Sequence, residues 1–207
     1  YVNAGNATPT ALYNDYSKLD SALAIAVRNK MIVVLDLHDE TCKNSPTNVV
    51  NLVKWYIKPQ VKTILTKYAH SLILNLANEA LYIEWASNKT QARIDFTNTY
   101  KIAIDSIRNA GIKMPLMIDA SECGTNLKEL SDAANALTSY DPNHNIIYSA
   151  HAYWYAYANN DSATMASELQ YALNKNIPLV LGEIANQQDD VSNCQYNLNY
   201  IALLNIC

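Results

Sequence analysis

The chain has 207 residues, half of them hydrophobic, which is enough for one sizeable core and too apolar for a disordered segment. Charged residues make up 16% and the formal net charge is −4, with no basic stretch to attract nucleic acid or an anionic membrane. The longest apolar runs, such as Met31–Leu35, are far too short to span a bilayer, and Tyr1-Val2-Asn3 is a poor start for a signal peptide, so any targeting segment is expected to have been removed or never included.

The periodicity predicts a first helix over Leu12–Asn29, with Leu12, Tyr16, Leu19, Leu23 and Val27 on one face. A strand is expected at Met31–Leu37. Asn48–Tyr68 is helical in pattern, and Pro59 should kink or break it. There follow strand Leu72–Leu76, helix Thr90–Asn109, strand Pro115–Ile118, helix Leu127–Ser139, strand Ile146–Ser149, helix Ala163–Asn174 and strand Leu179–Leu181. A last helical stretch is expected near Asn193–Leu204. The strands are continuous apolar runs, the pattern of strands buried on both faces of a helix-covered parallel sheet. Five of them alternating with helices imply one α/β domain, with connections long enough for crossovers.

Polarity comes from Asn, Ser, Thr and Tyr more than from charge. The sequons at Asn6, Asn88 and Asn160 are glycosylation candidates that favour a secretory route and an extracellular location. Four cysteines, Cys42, Cys123, Cys194 and Cys207, allow one or two disulfides in three pairings. None lies in a CxxC pair or at zinc-ligand spacing from a His, so no metal site is expected. Four glycines without a GxGxxG or GKS/T loop disfavour a nucleotide cofactor, and no cofactor is expected.

Each apolar strand ends in residues better suited to chemistry than to packing: His38-Asp39, Asn78-Glu79, Asp119 with Ser121-Glu122, His151 with Tyr153, and Gly182-Glu183. Taken singly, His38, Asp39, Asp119, Glu122 and His151 fit structural roles or the helix dipole. Repeated over five strands, they fit the C-terminal face of a (β/α) barrel, where active sites form. Glu79 and Glu183 then suit glycoside cleavage, which in retaining enzymes needs an acid/base and a nucleophile roughly 5–5.5 Å apart. His151 and Tyr153 can supply donors, and Asn78 can bond a sugar hydroxyl.

The pieces Val33-Val34-Leu35-Asp36-Leu37-His38-Asp39, Leu74-Asn75-Leu76-Ala77-Asn78-Glu79, Leu116-Met117-Ile118-Asp119-Ala120, Tyr148-Ser149-Ala150-His151-Ala152-Tyr153-Trp154 and Pro178-Leu179-Val180-Leu181-Gly182-Glu183 resemble glycoside hydrolase family 5, in the family's order. The resemblance covers nearly the whole chain and implies a TIM (β/α)8 barrel, of which these are strands three to seven. It implies a retaining endo-β-glycosidase acting on β-1,4-linked mannan or glucan, with a polysaccharide as partner. Glu79 would be the acid/base and Glu183 the nucleophile. Asn78 would contact the sugar 2-hydroxyl, His151 and Tyr153 would orient the nucleophile and the reacting sugar, and His38 would line the site. Trp154 and Trp85 are candidate stacking aromatics.

The His-Asp, Ile-Asp-Ala and His-x-Tyr forms are most like the β-mannanase branch, but Ser121-Glu122-Cys123-Gly124 stands where many of those enzymes carry an aromatic. The family's first two strands, with an Arg near the nucleophile, and its last strand, with a Trp, have no counterpart. The expectation is therefore that residues 1–207 form one partial catalytic domain, an internal stretch of a longer chain, since a five-strand arc cannot close a barrel. The rival expectation is an inactive barrel kept as a structural or carbohydrate-binding extracellular glycoprotein.

Overall fold

A computed structural model describes residues 15–153, 162–184, 187–188, 196–197 and 200–207. Helix α1 (Tyr16–Arg28) starts where Asp15 accepts the Lys18 backbone N–H, and buries Leu19 and Leu23. Strand β1 (Val33–Asp36) begins two residues later than the apolar run suggests: Val33 is the first residue to pair with the next strand, and Met31 and Ile32 are exposed. The expected proline-interrupted helix is two helices, α2 (Pro46–Val53) and α3 (Pro59–Lys67). Each opens on a proline, which sits in a first turn without losing a hydrogen bond.

Strand β2 (Leu72–Asn75) leads to helix α4 (Lys89–Asn109), capped by Asn88. Then come β3 (Leu116–Asp119), α5 (Leu127–Tyr140, capped by Asn126), β4 (Ile146–His151), α6 (Ser162–Asn174) and β5 (Leu179–Glu183). The helix expected over Asn193–Leu204 is corrected. Tyr196–Asn197 (β7) pairs antiparallel with Gln187–Gln188 (β6), and the helix, α7, spans Tyr200–Ile206. Asn-rich sequence competes with helix through its own side-chain hydrogen bonds, which shifts the start toward Tyr200.

The five main strands are all parallel, in the order β1-β2-β3-β4-β5. This order has no reversal and so no switch point, which separates it from a doubly wound sheet and makes it an arc of a (β/α) barrel. The outer strands expose Val34 and Val180, whereas β3 is buried at every position. Between sheet and helices lies one large core including Leu37, Leu65, Leu74, Phe96, Ile104 and Tyr148. The Tyr56 hydroxyl, 2.7 Å from the carbonyl oxygens of both Leu35 and Asn75, locks α2's trailing loop onto β1 and β2. Among the described residues, no helix is long and apolar enough to cross a membrane.

Candidate active site

The parallel register brings all five strand ends to one face. After β2 the chain stays attached to both neighbours: Asn78 N–H donates to Leu37 O at 2.9 Å, and Leu76 N–H to Met117 O at 3.1 Å. Glu79 then adopts a left-handed φ of 50°, a conformation that disfavours a residue with a Cβ. Its N–H donates to Asp119 Oδ2 at 3.1 Å, and its carbonyl accepts from Cys42 N–H at 3.1 Å. Asp119 is wholly buried and accepts from Asn75 Nδ2 at 2.9 Å. Burial pushes its carboxyl up to about 6, with Asp36 adding to the shift and the positive charge of His151 opposing it.

On the other side, the β4–β5 register slips between Ala150 and His151, so that His151 pairs with Glu183. The bulge sets an imidazole among three carboxylates. His151 Nδ1 lies 2.7 Å from Glu79 Oε1 and 3.7 Å from Glu183 Oε2, while Nε2 lies 3.6 Å from Asp119 Oδ2. Burial would lower the imidazole, but the Glu79 hydrogen bond and the charges of Asp119 and Glu183 prevail and raise it to about 9. Tyr153 donates to Glu183 Oε2 at 2.8 Å, and burial together with that carboxylate raises its phenol, which stays a donor at neutral pH.

Two glycines make room for the His151 ring. A Cβ on Gly124, whose φ is +78°, would lie 2.7 Å from Nδ1, and one on Gly182 would lie 3.2 Å from Nε2 and collide with Ser149 Oγ. Ligating atoms of Glu79, His151 and Glu183 lie within 4.8 Å of one another, a spacing a divalent cation could also use. The His151–Glu79 hydrogen bond engages Nδ1 of that imidazole.

Of the residues singled out in the sequence, Glu79, His151, Tyr153 and Glu183 are brought together, with Asn78 adjoining. The direct partner of His151 is Glu79, with Glu183 a further ångström away. Asn78 Nδ2 donates to Thr41 Oγ1 at 2.9 Å, and its buried Oδ1 has no hydrogen-bond partner among the described residues. His38 lies two residues beyond β1, half-buried, 2.9 Å from Asp36 Oδ2. Trp85 is exposed and meets Tyr82 edge-on at 5.1 Å, beside a hollow it lines with Arg93, Glu122 and Lys128. Trp154, Asn6, Asn160 and Cys194 lie outside the described residues. Asn88 is exposed, its Oδ1 accepting from Gln91 N–H.

A disulfide was expected from the sequence, but neither its pairing nor the Asp119 anchor was. Cys42 and Cys123 are bonded, with Cα atoms 4.7 Å apart, beside Glu79. The available signal was that both cysteines closely follow predicted strand ends, in loops of one barrel face.

Comparison with known proteins bears on the family and the fold. Residues 2–206 match the family model described as Cellulase (glycosyl hydrolase family 5). The chain is 27% identical over 177 residues to a mannan endo-1,4-beta-mannosidase of Salipaludibacillus agaradhaerens, covering 86% of this chain and 54% of that one. It is 30% identical over 173 residues to the enzyme of the same name from Cellvibrio japonicus, covering 82% and 37%. The catalytic domain of a mannanase from Streptomyces sp. SirexAA-E superposes with a TM-score of 0.75 at 20% identity, over 93% of this chain and 57% of that one. The chain thus spans about half the length, or less, of the curated relatives it matches.

Proposed function

The chain belongs to glycosyl hydrolase family 5, and on that premise we propose that it carries the catalytic face of a retaining endo-β-glycosidase, with Glu183 as nucleophile and Glu79 as acid/base. The observation that carries this reading is the approach of the two carboxylates. Their oxygens come within 4.8 Å of each other across His151, close to the roughly 5–5.5 Å of retaining enzymes and short of the roughly 6.5–9.5 Å that inverting ones need to admit a water.

In the first step Glu183 attacks the anomeric carbon while Glu79 gives its proton to the departing glycosidic oxygen. In the second, Glu79 takes a proton from water, which displaces Glu183 with net retention. Tyr153 holds the nucleophile's Oε2, and the His151 imidazolium places positive charge between the two carboxylates. The unpartnered Asn78 Oδ1 is suited to accept from a sugar 2-hydroxyl.

β-1,4-mannan is the first substrate to try, from the names of the relatives, and β-glucan the second, from the family's description. The disulfide and the exposed Asn88 sequon support a secreted glycoprotein.

The test is kinetic, on the full-length protein. Glu183→Gln should abolish turnover of an aryl β-glycoside while leaving the fold intact. Glu79→Ala should slow poor leaving groups by about 10²–10⁴-fold and good ones far less, because only poor ones need protonation. Full activity in both variants sinks the assignment. A wild type that cleaves no β-mannan, β-glucan or aryl glycoside would return the chain to a binding role.

A further inference from the structure

Three loops meet at Glu79, and five of their residues hold left-handed backbone without being glycine: Cys42 (φ 53°), Glu79 (φ 50°), Leu81 (φ 73°), Glu122 (φ 54°) and Cys123 (φ 55°). Such residues persist only where their surroundings fix them, and the surroundings here are specific. The Cys42–Cys123 disulfide joins the loop after β1 to the loop after β3. Cys42 N–H donates to Glu79 O, Leu81 N–H to Lys43 O at 2.9 Å, and Glu122 N–H to Leu81 O at 3.1 Å.

Glu122 is buried, yet its carboxylate is fully engaged. Oε1 accepts from the backbone N–H groups of Ile83 and of Glu84, the latter at 2.9 Å, and Oε2 accepts from the Ser121 hydroxyl at 2.6 Å. The loop carrying Glu79 is therefore held by Cys42 at residue 79 and by Glu122 at residues 81 to 84. The disulfide also stands against the carboxylate itself, with Cys42 Sγ 3.5 Å from Glu79 Oε2, on the side away from His151's contact with Oε1.

We propose that the Cys42–Cys123 disulfide and the Glu122 carboxylate form a clamp that positions Glu79 for proton transfer. They touch neither of the reacting bonds and act through Glu79, so they are positioning residues. The inference rests on the reading of Glu79 as acid/base. It implies that the step needing Glu79's proton, and not folding or sugar binding, is what the clamp controls.

The test compares kcat/KM for two aryl β-glycosides of the same sugar, one with a dinitrophenyl leaving group and one with unsubstituted phenol. The proteins are full-length wild type, Glu79→Ala, Cys42→Ser with Cys123→Ser, Glu122→Ala and Glu122→Gln. The clamp predicts that the cysteine pair and Glu122→Ala lose about 10- to 100-fold on the phenyl substrate and less than about threefold on the dinitrophenyl one. Glu122→Gln, which keeps one carbonyl acceptor for the two amides, should recover most of that loss.

Partial unfolding lowers both substrates equally, so the ratio reports position. Should a variant fail to fold, reduction of folded wild type serves the same purpose. Two thiols replace the disulfide as dithiothreitol is oxidised to its cyclic form, and the same split should appear and then reverse on reoxidation. Equal loss on both substrates, or no loss, overturns the clamp. A split in Glu79→Ala that the cysteine variants and the reduced enzyme lack overturns the clamp alone, whereas its absence in Glu79→Ala sinks the acid/base reading as well.

Discussion

His151 Nδ1 lies 2.7 Å from Glu79 Oε1, and the imidazole that makes this contact is buried among three carboxylates. Desolvation alone would leave such a ring neutral. Here the hydrogen bond and the charges of Asp119 and Glu183 outweigh it and keep the ring charged up to about pH 9. The candidate site thus has a cation at its centre, supplied by the residue that links the loop bearing Glu79 to the strand bearing Glu183.

This charge makes stability depend on pH in a definite direction. The folded value of about 9 exceeds the ordinary value of 6.5, so His151's contribution is complete below about pH 6.5 and is lost as pH rises through 9. Asp119 acts in the same sense, its folded value of about 6 lying above the ordinary 3.8. Asp119's contribution is lost between about pH 3.8 and 6, and His151's shift predicts a further loss of stability between pH 6.5 and 9, on the order of 3 kcal/mol, read as a falling melting temperature. Thermal unfolding across that range checks it: His151→Gln should flatten the slope, and an equal slope in the variant would remove His151 as its cause.

The glycine facing that ring gives a second expectation. Gly124→Ala places a methyl 2.7 Å from Nδ1 at a backbone φ of +78°, so either the ring or the turn must move. Displacement by about an ångström costs on the order of 10²-fold in rate, while the backbone strain costs only about 1–2 kcal/mol. Activity should therefore fall much further than the melting temperature. A variant with wild-type kcat would show that the ring has room to shift.

Much of this arrangement was legible in the sequence because it depends on short-range pattern. The unbroken apolar runs gave the parallel strands, and the polar residue closing each run gave Glu79, His151 and Glu183. What escaped was set by loop geometry. No periodicity signals that Glu122 folds back onto the amides of Ile83 and Glu84, or that Cys42 finds Cys123 across a separation of 81 residues. The direct partner of His151 was also not deducible, since it depends on the register slip before that residue.

Trp85 is the residue through which substrate length should be felt. It is 53% exposed and stands over a hollow bordered by Arg93, Lys128 and Glu129, an aromatic face with polar neighbours of the kind that holds a sugar ring. Trp85→Ala should raise KM for long oligosaccharides by roughly tenfold and leave kcat and short aryl glycosides unchanged, the signature of lost uniform binding. A uniform change across chain lengths would place Trp85 outside the substrate path.

The opposite end of the sheet should govern stability without touching activity. Arg108 and Asp141 form an ion pair at 2.7 Å with side chains 5% and 0% exposed, before the N-terminal ends of β3 and β4. Arg108 also donates to Ile112 O and Met114 O, and Asp141 accepts from the N–H groups of Asn143 and Asn145. Burial would raise the Asp141 carboxyl, but Arg108 and the two amides hold it below the ordinary range. Its contribution is thus present above about pH 4 and is lost on acidification through the folded value. Asp141→Asn strands a buried guanidinium and should cost about 3–5 kcal/mol, whereas Arg108→Met with Asp141→Leu removes both charges and should cost much less. Denaturant titration separates the two cases. Because the pair sits far from the strand ends that carry the carboxylates, kcat of either folded variant should match wild type, and a selective loss of kcat would mean that the two faces of the arc are coupled.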